Sequence, residues 1–296
     1  MQQSVLTAVF MPLALAVLML GLGLSLTRDD FKRILVYPRA VFVGLACQML
    51  VLPCIAYFIA KALELPPEIA VGLMLLAASP GGPTANLFSH LAHGDVALNI
   101  TLTATNSVLS LVTLPIIINL SLAAFAGGGK TIPLQAGKVV QVIGLVLIPV
   151  LLGMWVRRSK PELALRLDRP VRTISAVFLF VIIAATVAKE GANIWPMFQV
   201  AGGAALLFNL SSLGVGYAIP RLARVPDRQA VAIGMEIGIH NGTLAIAIAS
   251  SPQLLNNPAM AVTPAIYSLI MFGTATAFGY WAARHLRARE AAVLVS

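Results

Sequence analysis

Residues 236–249 read EIGIHNGTLAIAIA and belong to a long apolar segment near the end of the chain. An acid, a histidine and an asparagine, Glu236, His240 and Asn241, stand inside this segment together with two glycines. Because glycine weakens the interior of a helix, the segment predicts a helix that is interrupted around His240. The carboxylate of Glu236 lies beside this interruption, and the rest of the sequence indicates what surrounds it.

The composition is that of an integral membrane protein. Of the 296 residues, 59% are hydrophobic and 10% are charged, whereas a soluble domain carries about 25% charged residues. The apolar runs reach roughly 20 residues, the length of a membrane-spanning helix, and lack the alternation over ~10 residues that barrel strands show. The predicted fold class is therefore an all-α polytopic membrane protein. We therefore expect the protein to lie in a lipid bilayer and to bind no nucleic acid.

The apolar runs predict nine transmembrane helices. They cover approximately residues 4–26, 40–60, 69–91, 96–124, 136–156, 173–190, 197–219, 229–250 and 264–283. With this count every arginine, together with Lys32 and Lys160, lies on one side of the membrane. The positive-inside rule makes that side the cytoplasm. We therefore expect a multi-pass protein of the inner or plasma membrane, with its N-terminus outside and its C-terminus cytoplasmic.

The third and eighth predicted spans are both interrupted. The third carries Pro80, Gly81, Gly82 and Pro83 in succession, and proline removes a helical donor. Broken backbone at membrane depth is tolerated where it is buried in protein or lines a cavity. Two interrupted spans that enter from opposite sides favour an inverted repeat, with a binding site between the breaks.

Glu236 is the one carboxylate predicted well inside the membrane. A charge at the bilayer centre costs ~2.5–3.5 kcal/mol on insertion scales, so Glu236 must be protonated, hydrated or paired with a cation. Pairing with His240, one turn away, is one interpretation. A metal-cation site is the sharper one, because Asn86, Asn241 and Thr103 offer the oxygen ligands that hard cations prefer.

The fourth span adds a polar stripe on one helix face, formed by Asn99, Thr103, Asn106, Ser110 and Thr113. Ser110 and Thr113 fit hydrogen bonding between helices as well as they fit a functional role. We expect Asn99 and Thr103 to reach the break in the third span. Metalloprotease and hydrolase motifs are absent from the sequence, so we expect that the protein is not an enzyme.

The residues SPGGPTANLFSHLAHGDVALNITLTAT, from Ser79 to Thr105, and the later EIGIHNGTLA together resemble the bile acid:sodium symporter family. The resemblance implies two crossed broken helices in a core domain, at about 40–125 and 197–284, and a panel domain at about 1–27 and 135–190. The whole chain, 1–296, would form one transporter unit. Its function would be sodium-coupled symport of an organic anion, either bile-acid-like or a small organic acid, by alternating access.

The resemblance also implies two sodium sites and a substrate crevice. One sodium site would be lined by Asn86, Asn99, Thr103 and Glu236. The other would be lined by Gln48, Glu236, His240 and the backbone carbonyls of Ile237 and Ile239. The organic anion would lie between core and panel near the breaks, in contact with Pro83, Thr84, Asn241, Gly242, Met271 and Phe272.

The chain departs from the family pattern at His240, where a glutamine is common. Because a neutral imidazole is a poor sodium ligand, the second sodium site is less secure than the first. A proton-coupled transporter or a cation/proton antiporter that uses Glu236 and His240 as proton carriers therefore stays open as an alternative. A third alternative is a membrane enzyme, against which the missing catalytic motifs argue, or a sensor that binds its ligand without transport.

Overall fold

The structure is a computed structural model that describes residues 5–82, 84–127, 136–167, 170, 171, 173, 174, 177, 194–251 and 254–295. Within these residues every regular element is a helix, which confirms the all-α prediction. Most of the predicted sixth span lies outside the described residues, as does Pro83.

The helices are numbered in chain order. They are α1 (Val5–Ser25), α2 (Arg28–Lys32), α3 (Pro38–Ala46), α4 (Leu52–Ala62), α5 (Pro67–Ala78), α6 (Thr84–Leu91), α7 (Val96–Phe125), α8 (Ala136–Ser159), α9 (161–167), α10 (Ile194–Leu222), α11 (Asp227–Gly238), α12 (Gly242–Ser250) and α13 (Val262–Val295). A π-helical turn, Cys47–Val51, joins α3 to α4 into one continuous rod. The predicted spans other than the sixth coincide with these helices or with an interrupted pair of them.

Four of the described helical segments are long and apolar enough to cross a membrane by length and composition. They are Pro38–Ala62, Val96–Phe125, Phe198–Leu222 and Pro258–Arg289. The protein is therefore a multi-pass membrane protein, while the count of nine spans stays a prediction. The last helix runs past the predicted end at residue 283 to Val295, because the alanines, arginines and leucine that follow are good helix formers.

The predicted loop 27–39 contains the short helix α2. The Thr27 backbone N–H and its hydroxyl both donate to Asp30 Oδ2, each at 2.7 Å. Asp30 also accepts from Arg33 at 2.8 Å. A side chain three positions into a helix that returns to the capping residue stabilises the helix start, so this loop folds into a helical turn at the end of α1.

The two interrupted helix pairs lie at the centre of the molecule. Every residue of Ile69–Gly82 and of Ala230–His240 is buried, as expected for helices that are apolar on all faces. Helices α7, α10 and α13 pack around them, whereas α1 packs mainly on α8. At that contact Gly23 and Gly153 bring the two backbones together, since a Cβ on Gly153 would lie 2.7 Å from the Leu24 nitrogen.

Candidate functional site

The two helix breaks lie against each other and satisfy part of each other's backbone. The Gly82 N–H donates to the Ile239 carbonyl at 2.7 Å, and the Asn241 N–H donates to the Pro80 carbonyl at 2.9 Å. Gly81 and His240 face each other in this short antiparallel pairing. Buried backbone groups need such partners, so the pairing lets both helices break at the same depth. Both predicted interruptions are thereby confirmed.

Glu236 lies next to the pairing, with its side chain 1% exposed. The Thr103 hydroxyl donates to Glu236 Oε2 at 2.6 Å. Glu236 Oε1 is buried and has no hydrogen-bond partner in the described part of the chain, and the ion pairs found there do not include Glu236. A buried carboxylate is strongly disfavoured unless it is paired and hydrogen-bonded, so this oxygen marks a position suited to a cation.

Gly81 allows the break in the third span to approach Glu236. A Cβ placed on Gly81 would lie 2.6 Å from Glu236 Oε2 and closer still to Oε1 and Cδ. Carbon atoms pack favourably at about 3.5–4.0 Å, so no residue with a side chain fits here without displacing the carboxylate. Gly81 therefore serves the site through its lack of a side chain, besides weakening the helix.

Asn99 and Thr103 hold two successive turns of α11. The Asn99 amide donates to the Ala232 carbonyl at 2.7 Å, one turn before the Thr103–Glu236 contact. The Glu236 carboxylate that Thr103 binds also lies against Gly81 of the third-span break, and direct contact of Asn99 and Thr103 with that break stays a prediction. The four-residue spacing is the same in both helices, so α7 and α11 run side by side in register and match one polar face to the other.

Three oxygens from three helices are buried here without a hydrogen-bond partner among the described residues. They are Asn86 Oδ1 on α6, Asn99 Oδ1 on α7 and Glu236 Oε1 on α11. These three helices pack against one another. One carboxylate with amide oxygens and a nearby hydroxyl is the ligand chemistry of a hard cation, and the first predicted set of residues therefore fits sodium.

Gln48 and His240 form a second layer around the Ser79 carbonyl. Gln48 lies in the π-helical turn, and its amide nitrogen donates to the carbonyls of Ala77 at 3.1 Å and Ser79 at 3.0 Å. His240 Nδ1 lies 3.2 Å from the same Ser79 oxygen. Since a carbonyl oxygen accepts only, Nδ1 is the donor. Gln48 Oε1 and His240 Nε2 are buried and have no partner within the described residues.

The second predicted set fits sodium less well than the first. The His240 ring offers nitrogen rather than oxygen and stacks on Phe208, with ring centroids 5.6 Å apart. The Ile239 carbonyl already accepts from Gly82. Ile237 has lost its regular helical donor, because the Asn241 N–H is directed to Pro80. Gln48 and the Ile237 carbonyl are thus the stronger oxygen donors of this set.

The residues predicted to contact substrate divide between the breaks and α13. Thr84 is exposed at the start of α6, and Asn241 caps α12 by accepting from the Leu244 N–H at 3.0 Å. A Cβ on Gly242 would overlap Ser268. On α13, Met271 is buried and Phe272 is 40% exposed and stacked on Phe88. Pro83 lies outside the described residues.

Three residues that position the site were not singled out from the sequence. Ser79 supplies the carbonyl shared by Gln48 and His240, and the Gly238 carbonyl accepts from Asn209 and from Tyr267, each at 2.9 Å. These two donors satisfy the end of α11. A polar Asn209 within an apolar span is the signal that would have identified it, since such residues commonly bond across helices. The role of Ser79 rests on its backbone and has no signal in the sequence.

Known proteins similar to this chain are sodium-dependent transporters. It is 28% identical over 261 residues to "Uncharacterized sodium-dependent transporter YocS" of Bacillus subtilis, covering 88% of this chain and 78% of that protein. It is 28% identical over 255 residues to "Probable sodium/metabolite cotransporter BASS1, chloroplastic" of Arabidopsis thaliana, covering 86% of this chain and 62% of that protein. The chain thus spans less than two thirds of the plastid relative.

A third relative is the human "Ileal sodium/bile acid cotransporter", 23% identical over 287 residues, which cover 95% of this chain and 80% of that protein. These relatives are transporters, which confirms the expectation that this chain is not an enzyme. Residues 12–196 match the Sodium Bile acid symporter family. Since that match covers more than half of the chain, the protein belongs to this family.

Proposed function

We propose that this protein is a secondary active transporter that couples entry of an organic anion to sodium. The observation that carries the proposal is the set of three buried oxygens, on Asn86, Asn99 and Glu236, that have no hydrogen-bond partner in the described chain. One of the three belongs to a carboxylate whose burial is unfavourable without a counter-charge, and the helices that carry the other two pack against α11. A sodium ion held there would neutralise Glu236 and complete the bonding of all three side chains.

The helix ends support the same assignment. Helices α5 and α11 end at the breaks, and α6 and α12 begin there. The C-terminal end of a helix favours cations and the N-terminal end favours anions. Broken helices in transporters bring both kinds of end to one place. The breaks therefore suit sodium on one side and an anionic substrate group on the other.

The substrate would bind near the starts of α6 and α12. Thr84 begins α6, and Asn241 and Gly242 stand at the start of α12. On α13, Phe272 is partly exposed next to the buried Met271, and we include Pro83, which precedes Thr84 in the sequence, in the same proposed site. An organic acid with an apolar body suits this combination of helix ends and apolar side chains. Both a bile-acid-like molecule and a small organic acid remain within this class.

Sodium entry supplies the driving force. Each positive charge that moves down the potential contributes ~2.3 kcal/mol per 100 mV. Two sodium ions with one monoanion would carry a net positive charge inward. The first ion would bind at Asn86, Asn99, Thr103 and Glu236. The second, weaker site would use Gln48, Glu236, His240 and the carbonyls of Ile237 and Ile239.

Alternating access would proceed by movement of a core against a panel. The packing of α1 mainly on α8 supports this division, at about 1–27 and 135–190 for the panel and about 40–125 and 197–284 for the core. Nine spans, an inverted repeat and a cytoplasmic C-terminus belong to the same proposal. The placement of the arginines supports the orientation.

The first test is sodium binding by the purified protein. Ligand binding raises the free energy of unfolding, by about 1.4 kcal/mol at tenfold above Kd. We therefore expect NaCl, but not choline chloride, to raise the Tm. Glu236→Gln should abolish this rise, and Glu64→Gln, which changes an exposed carboxylate, should keep it. A rise in Tm with NaCl that is as large in Glu236→Gln as in the unchanged protein would contradict the site assignment.

The alternative is proton coupling through Glu236 and His240. His240 Nε2, buried without a partner among the described residues, is the observation that favours it. Proteoliposomes with candidate organic anions in the external buffer separate the two mechanisms. Uptake driven by a sodium gradient at equal pH supports the first, while uptake driven by a pH gradient without sodium supports the second.

A further inference from the structure

A cavity lies at the end of α1 and α8, away from the helix breaks. Its volume is about 470 Å³, and its wall is formed by the α1–α2 connection, the last turns of α8 and the start of α9. Leu151, Trp155 and Leu165 form much of its apolar surface. All three are more than half exposed, at 53%, 62% and 61%. The cavity therefore opens to the surroundings of the protein.

Three arginines line the same cavity. They are Arg28 at the start of α2 and Arg157 and Arg158 at the end of α8. In the described chain none of the three makes an ion pair or a side-chain hydrogen bond, and no carboxylate lines the cavity. The acids of α2 are engaged elsewhere, since Asp29 pairs with Lys32 and Asp30 with Arg33, each at 2.8 Å. Three unpaired guanidinium groups that line one cavity favour an anion.

The face of α8 that leads to these arginines is apolar. Ile148, Leu151, Trp155 and Arg158 follow one another at spacings of three, four and three residues, so they share one helix face. The first three are exposed hydrophobic side chains at 59%, 53% and 62%. Tryptophan is typical of the membrane interface, and arginine of the headgroup region beyond it. The apolar part of the face therefore matches the acyl chain of a phospholipid, and the cationic end of the face matches its phosphate.

We propose that this cavity binds an anionic phospholipid of the adjoining leaflet. Its phosphate would lie among Arg28, Arg157 and Arg158, and one acyl chain would follow Leu151 and Ile148 along α8. The arginines lie on the side assigned to the cytoplasm, whose leaflet carries anionic lipids that attract basic groups. A bound lipid would link the end of α8 to the α1–α2 connection. This site is independent of sodium binding at the breaks.

The test is lipid-dependent stability of the full chain in mild detergent. We expect phosphatidylglycerol to raise the Tm more than phosphatidylcholine with the same acyl chains, and inorganic phosphate to raise it little. In the double variant Arg157→Gln and Arg158→Gln, the apparent phosphatidylglycerol affinity should fall at least tenfold. The matched control is Lys160→Gln with Arg166→Gln, which removes two exposed charges nearby that do not line the cavity.

Three results would overturn the proposal. The first is equal stabilisation by the two lipids, and the second is an equal loss of affinity in the test and control variants. The third is stabilisation by inorganic phosphate as large as that by phosphatidylglycerol, which would make the cavity a site for free anions. If the double variant does not fold, Arg28→Gln changes an exposed residue of the same cavity and should weaken phosphatidylglycerol binding. Unchanged binding in Arg28→Gln would then count against the site.

Discussion

Replacing Gly81 by alanine tests the geometry of the proposed sodium site at a single methyl group. The new Cβ would lie 2.6 Å from Glu236 Oε2 and closer to the other carboxylate atoms. A comfortable separation is about 3.5 Å, so the carboxylate must move by roughly 1 Å. A shift of that size breaks or weakens the 2.6 Å hydrogen bond from Thr103.

The magnitude follows from that hydrogen bond. A hydrogen bond to a charged group contributes about 1.5–3 kcal/mol. At 1.4 kcal/mol for each factor of ten, we expect the apparent sodium affinity of Gly81→Ala to fall about 10- to 100-fold. Gly82→Ala is the matched control, because the nearest atom to its Cβ would be the His240 carbonyl oxygen at 3.3 Å. We expect a change of less than about threefold in that variant, since only a small adjustment is needed.

The assay is the Tm of each purified variant as NaCl replaces choline chloride at constant ionic strength. The sodium concentration at half of the maximal Tm shift reports affinity, while the Tm without sodium reports the stability of the fold. The reasoning is refuted if Gly81→Ala has the half-maximal sodium concentration of the unchanged protein. A shift just as large in Gly82→Ala would also refute it, because the effect would then belong to the break in general.

Two further predictions concern stability. Gly153→Ala places a methyl group against the α1 backbone and should lower the free energy of unfolding by about 1–3 kcal/mol. The control is Gly144→Ala on the same helix, which should change the Tm little because the nearest neighbour of its Cβ would be 3.8 Å away. Equal Tm values for the two variants would contradict the close packing of α1 on α8. Tyr267→Phe removes one of two donors to the Gly238 carbonyl and should lower the free energy of unfolding by about 1 kcal/mol, measured by thermal unfolding. The control Tyr280→Phe, which alters an exposed tyrosine, should leave the Tm unchanged. An unchanged Tm in Tyr267→Phe would show that the second donor suffices.

The sequence alone determined where helices lie and where two of them break. Long apolar runs fold as helices in a bilayer because each backbone group must find a partner within its own segment. Pro80 to Pro83 interrupt one such run and Gly238 and Gly242 weaken the other, because proline removes a donor and glycine lowers the stability of a helix interior. The isolated acid Glu236 was evident for the same reason, because a charge stands out against apolar surroundings. Such features depend on local composition and can be read along the chain.

Tertiary structure alone decided which side chains meet at the breaks. Thr103 and Glu236 are 133 positions apart in the chain, and their contact depends on the register of α7 against α11. The sequence did not predict the contacts of Asn99 and Thr103 with α11, because hydropathy indicates that a helix is buried in lipid or protein but not which face meets which neighbour. The steric role of Gly81 and the Ser79 carbonyl shared by Gln48 and His240 arise in the same way. Both features depend on backbone atoms that tertiary packing brings together, and the identity of a residue does not predict where its backbone atoms will lie.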